Sequence, residues 1–169
     1  MSAESAGRAG GEEPSRRALA LARRYARFRA RSTAELQAYL QRQRFPQPLI
    51  DRVITECVEE GLLDDRACAK LWATHLADRG DAWGAVREQL LAKGLDQELI
   101  AEVLASLQAR ADDATRARDL AQASLARKGL GRRPGADRRL HDRVARLLSQ
   151  RGFDSELIDR VLAEFFHAQ

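Results

Sequence analysis

Gly152-Phe153-Asp154-Ser155-Glu156-Leu157-Ile158-Asp159-Arg160-Val161-Leu162 repeats a pattern that stands earlier at Gly94-Leu95-Asp96-Gln97-Glu98-Leu99-Ile100-Ala101-Glu102-Val103-Leu104 and at Arg44-Phe45-Pro46-Gln47-Pro48-Leu49-Ile50-Asp51-Arg52-Val53-Ile54. Its apolar positions fall at i, i+1, i+4 and i+5, which is one broad face of a helix. The register continues upstream, where Leu40, Leu90 and Leu148 align, as do Leu36, Val86 and Val144. The copies are offset by 50 and then by 58 residues. Three copies of a helical unit predict a repeat protein whose units bury their apolar faces against one another. The expected architecture is an elongated, curved array that works as a surface and not as a pocket.

Composition points the same way. Aromatics make up 5% of the chain, with four prolines and eleven glycines, and alternating β-branched runs are missing. The fold class is therefore all-α, in three tandem three-helix repeats. The net charge of +4 hides a segregation: residues 14–50 hold nine bases and one acid, residues 51–104 six and twelve, residues 105–151 twelve and five. The basic outer thirds suit a polyanion such as nucleic acid, while the acidic middle should avoid it or face a basic protein. The plainer account of each run is a solvated helix face. Cys57 and Cys68 form no C-x-x-C pair, and the histidines are scattered at His75, His141 and His167. No metal site, disulfide framework or cofactor is expected, and a reducing, cytoplasmic setting follows. No stretch reaches the roughly 18 apolar residues of a membrane helix. Met1–Glu13, polar and Gly-rich, has no signal-peptide character and is expected as a disordered tail.

Capping chemistry sets the predicted boundaries at 14–61, 62–110 and 111–169. The first repeat opens at Pro14-Ser15, runs through Leu21, Tyr25 and Phe28, and restarts at Ser32, where Ser32-Thr33-Ala34-Glu35 has the form of a capping box. Its third helix carries Leu49, Ile50, Val53, Ile54, Cys57 and Val58 and stops at Gly61. The second opens at Asp64-Asp65, breaks at Arg79-Gly80 and again at Gly94, and has Asp96 as a cap. The third opens at Asp112-Asp113, breaks near Lys128-Gly129, and restarts after the loop 130–136; Gly152 and Asp154 precede a helix expected to bury Leu157, Ile158, Val161, Leu162, Phe165 and Phe166. Arg44 stands where the later repeats have glycine. A left-handed non-Gly residue there costs about 1–2 kcal/mol, unless that helix ends differently.

Candidate contact residues are the arginines of the outer repeats: Arg23, Arg24, Arg27 and Arg31 in the first, and Arg127, Lys128, Arg132, Arg133, Arg138, Arg139, Arg143 and Arg146 in the third. Arg23, Arg27 and Arg31 recur every fourth residue and are expected on one helix face. Glu59, Glu60, Asp64 and Asp65 are better explained by capping and solubility than by a partner. Gly129-x-Gly131 is no phosphate loop, because no strand precedes it and its lysine comes before the glycines. No nucleophile stands with a base, so no catalytic residues are assigned. Trp72 and Trp83 read as packing residues more than as base-stacking platforms.

The chain resembles the RecX family of bacterial regulators across residues 16–166. The resemblance is carried by Ala22-Arg23-Arg24, Ser32-x-x-Glu35-Leu36-x-x-x-Leu40, Gly61-Leu62-Leu63-Asp64-Asp65 with Ala69, Arg79-Gly80, Val86-x-x-x-Leu90-x-x-Lys93-Gly94-Leu95 and Leu147-Leu148-x-x-Arg151-Gly152-Phe153. It departs from the family at Cys68, where a large aromatic is usual, and at Asp81-Ala82, where the family is more basic or Gly-rich. The resemblance implies a non-enzymatic, all-α protein of three tandem three-helix repeats that binds the RecA filament on single-stranded DNA; separately, the capped terminal units make a monomer the simpler expectation. The resemblance further implies restraint of the filament's ATP hydrolysis, strand exchange and repressor cleavage. The alternative is a helical protein that binds DNA directly, without RecA, through a helix-turn-helix-like unit.

Overall fold

The computed structural model describes residues 5–126 and 136–166, with side chains described over 13–126 and 138–166. Nine helices and no strand occur among them: α1 Ser5–Arg27, α2 Thr33–Arg42, α3 Gln47–Glu59, α4 Asp65–Asp78, α5 Trp83–Ala92, α6 Gln97–Gln108, α7 Asp113–Ala126, α8 Ala136–Gln150 and α9 Ser155–Phe166. The repeated motif is α3, α6 and α9.

Their ends follow the caps. At α2 the Glu35 amide donates to Ser32 Oγ at 3.0 Å and the Ser32 amide donates to Glu35 Oε2 at 3.1 Å, completing the capping box. Asp96 and Asp154 accept from the first turns of α6 and α9, at Glu98 and Leu157, both at 2.8 Å. Pro46 takes that place before α3 with no side-chain cap, and Pro48 falls in the first turn, where a missing N–H does no harm. After α2, the Phe45 amide reaches Leu40 O and the Arg44 amide reaches Gln41 O, with Arg44 at φ 63°. After α8, Phe153 and Gly152 make the same pair of bonds to Leu148 and Ser149, with Gly152 at φ 83°. Arg44 thus adopts the left-handed conformation that glycine adopts in its sister repeat.

Three expectations are corrected. α1 begins at Ser5, not at Pro14, so the supposed tail is helical from Ser5 and Pro14 lies inside the helix. Gly7, Gly10, Gly11 and Pro14 each disfavour a helix interior, so local propensity does not explain the extension of α1 through them. Val58 and Phe165 are 47% and 37% exposed: Val58 lies about 100° around its helix from the buried Cys57, and Phe165 falls in the last turn of α9, beyond the buried Leu162. Phe28, expected to run within the first helix, follows the end of α1 and is 82% exposed.

The chain divides into two compact units, Met1–Leu71 with Leu91–Leu99, and Trp72–Leu90 with Ile100–Gln169. The division runs through α4, α5 and α6, so each outer repeat shares a unit with part of the middle one. In the first unit Ala18, Ala22, Leu36, Leu40, Ile50, Val53 and Cys57 form the core. In the second, Ala117, Ala121, Val144, Leu148, Val161 and Leu162 form its counterpart. Each fully buried Leu, Ile or Val contributes about 1.5–3 kcal/mol. Alanines at the close approaches of α1 and α7 let the other two helices of their repeats pack tightly against them.

Candidate functional site

In the first unit the predicted arginine row does not form. α1 ends at Arg27, because Ser32 must be extended (φ −79°, ψ 159°) to cap α2, and Arg31 lies in the connection between them. There its guanidinium sits 4.2 Å from the centre of the Tyr25 ring, which stacks on Tyr39, and 3.5 Å from Glu35. Arg23 is tied to Glu60 and, at 3.4 Å, to Glu56. This pair is solvent-exposed and holds its partners weakly. Arg24 and Arg27 are exposed and have no ion-pair partner among the described residues.

The second unit collects more charge. A groove of about 570 Å³ opens between the end of α4, α7 and α8, and Arg79, Arg143, Arg146 and Arg151 line it, with Asp78 the one acid on its wall among the described residues. Arg143 and Arg146 come from α8, which also exposes Arg138 and Arg139. Arg127, Lys128, Arg132 and Arg133 lie outside the described residues.

Behind the groove Asp81 is buried, with only 3% of its side chain exposed. Arg79 donates to both its oxygens, Arg151 Nη1 donates to Oδ1 at 3.0 Å, and Gln89 Nε2 donates to Oδ2 at 3.3 Å. Burial pushes this carboxyl up; the hydrogen bonds and positive charge of its partners outweigh burial and hold it below the ordinary carboxylate range. Trp83 is buried beneath Arg116, whose guanidinium lies 3.9 Å from the ring centre, and its Nε1 donates to Ala111 O at 3.0 Å. That indole is a packing element and leaves no face for a base.

The family model described as RecX, first three-helix domain, matches residues 18–57. The regulatory protein RecX of Mycobacterium sp. (strain JLS) is 35% identical over 139 residues, covering 80% of this chain and 75% of that protein. That of Mycobacterium marinum is 34% identical, covering 89% of this chain and 86% of its own. This chain belongs to the RecX family. The fold agrees: the crystal structure of RecX from Lactobacillus salivarius superposes with a TM-score of 0.68 at 17% identity, over 90% of this chain and 97% of that one. A second crystal structure of regulatory protein RecX gives 0.70 at 19% identity, over 100% and 80%.

Two groove residues of this RecX chain, Arg79 and Arg151, escaped the sequence reading because each precedes a glycine and reads as a helix-end signal. No local signal marks the pair, since Asp81, the carboxylate that draws both arginines together, stands in the acid-rich middle of the sequence and its burial shows only in the fold.

Proposed function

We propose that this chain is a non-enzymatic negative regulator that binds the RecA filament on single-stranded DNA and restrains its ATP hydrolysis, strand exchange and coprotease activity. Membership of the RecX family carries this reading, and the distribution of charge supports it. A filament presents protein subunits alongside a phosphate backbone, and a chain with basic patches in both outer repeats engages several of these weak contacts together through effective concentration. On this reading Arg24, Arg27, Arg138, Arg139, Arg143 and Arg146 face the filament, together with Arg127, Lys128, Arg132 and Arg133; Arg23 and Arg31 do so only by exchanging their present partners. No membrane role is assigned, since no described helix is long and apolar enough to cross one.

The test is RecA-dependent ATP hydrolysis on single-stranded DNA, measured with increasing amounts of this protein. Progressive inhibition is expected. Hydrolysis unchanged at every ratio contradicts the proposal. Direct duplex reading by the third helix of a repeat is disfavoured, because α3, α6 and α9 expose Asp51, Glu102 and Asp159, which repel phosphate.

A further inference from the structure

We propose that the groove of the second unit binds the phosphodiester backbone of single-stranded nucleic acid, and that Asp81 is a positioning residue that fixes two of its four arginines. The proposal deepens the filament reading and rests on it for the biological occupant. Among the described residues, four guanidiniums face one groove with the carboxylate of Asp78 on its wall. Arg143 and Arg146 have no ion-pair or hydrogen-bond partner among the described residues. They share a face of α8 with Arg139 and Gln150, at i, i+4, i+7 and i+11. At 1.5 Å per residue the three arginines of that row span about 10 Å. A line of regularly spaced cations matches the regular charges of a phosphate backbone better than the irregular carboxylates of an acidic protein segment.

The other wall is held in place. Arg79 engages Asp81 through Nε and Nη2, and Arg151 through Nη1, which leaves guanidinium donors of both over for a ligand. Side chains already fixed lose less freedom on binding, so the buried carboxylate strengthens anion binding by organisation although its own charge opposes it. Leu120 and Leu147 give the groove an apolar floor for sugar faces. Among the described residues no aromatic side chain lines it, so a strand would be held by its backbone without base stacking and without sequence preference.

The experiment uses the full chain and a fluorescein-labelled oligothymidylate, with anisotropy followed against salt in the absence of RecA and RecA ATPase inhibition measured alongside. Arg143→Ala with Arg146→Ala removes two exposed groove cations and should lower the slope of log affinity against log salt by about 1.4, at 0.7 per contact. The matched control, Arg52→Ala with Arg160→Ala, should change it far less. Asp81→Asn separates organisation from charge: if Asp81 only subtracts from the local field the variant binds more tightly, whereas a positioning role makes it bind more weakly. Circular dichroism establishes that it is folded, and if it is not, the α8 double variant decides on the groove. An unchanged α8 double variant, an equal loss in the control pair, or displacement of the oligonucleotide by polyglutamate at equal charge would each overturn the groove assignment. Tighter binding by folded Asp81→Asn would overturn the role of Asp81. Wild-type ATPase inhibition without groove-dependent DNA binding contradicts this inference alone, and groove-dependent binding without ATPase inhibition contradicts the filament reading alone.

Discussion

Gly94 and Gly152 are each required twice over. Their φ values of 71° and 83° suit glycine, and a Cβ added at Gly152 would lie 2.7 Å from Ala85 Cβ, while one at Gly94 would press still closer on Ala34. Both alanines belong to the middle helix of the preceding repeat. Arg44, at the same point of the first repeat, is exposed, so the backbone strain is what its side chain has to bear. Gly94→Ala and Gly152→Ala should therefore each destabilise by about 1–2 kcal/mol of strain and a further 1–3 kcal/mol of overpacking. Arg44→Gly should leave the urea midpoint level or slightly raised. An equal loss at all three positions would contradict this account. Asp81 makes a second residue-scale prediction. Its folded pKa lies below the unfolded value, so between the two the unfolded chain binds more protons and stability rises with pH. The contribution is complete above about pH 3.9 and is lost as pH falls through the folded value. Acid titration of stability should show a steeper fall below that pH in the native chain than in Asp81→Asn; parallel curves would refute it.

The helices were legible before the structure because their caps and stops are local chemistry. The links between repeats were not. In the doubled aspartates the first residue caps its own helix: Asp64 accepts from the Ala67 amide at 2.9 Å and Asp112 from the Thr115 amide at 2.7 Å. The second reaches back to the preceding repeat, where Asp65 accepts from the Thr33 amide at 2.8 Å and its hydroxyl at 2.7 Å, and Asp113 from the Trp83 amide at 2.9 Å. A sequence shows the first role by spacing, but the second depends on a partner 32 or 30 residues away. The same limit applied at the groove: Arg143 and Arg146 announced themselves as charge, while Arg79 and Arg151 became visible only when the fold brought them to Asp81. The expected Arg23–Arg27–Arg31 face failed for the converse reason, since a periodic spacing was followed past the end of its helix. Asp65→Ala and Asp113→Ala should each lower stability by about 1 kcal/mol, the worth of a helix cap, as read by urea unfolding. No loss in either would show that the reach between repeats is incidental.

At the scale of the molecule the middle repeat is divided between two units, each joined internally by an analogous junction. In one, Lys93 meets Glu35 at 3.3 Å and accepts the Ser32 hydroxyl at its carbonyl; in the other, Arg151 meets Asp81 and its carbonyl accepts the Ala82 amide at 2.9 Å. Such units are stable through their own cores and present their arginines on fixed helices, which suits a protein that acts by contact and not by turnover. Because much of the attraction is charge, binding to a nucleoprotein partner should weaken steadily as salt rises. The most direct test of the central claim is co-sedimentation with preformed RecA filaments on single-stranded DNA, with RecA alone and DNA alone alongside. The account predicts that this chain pellets with the filament well beyond the level seen with either component. Pelleting no greater than with bare DNA, or none at all, would contradict it.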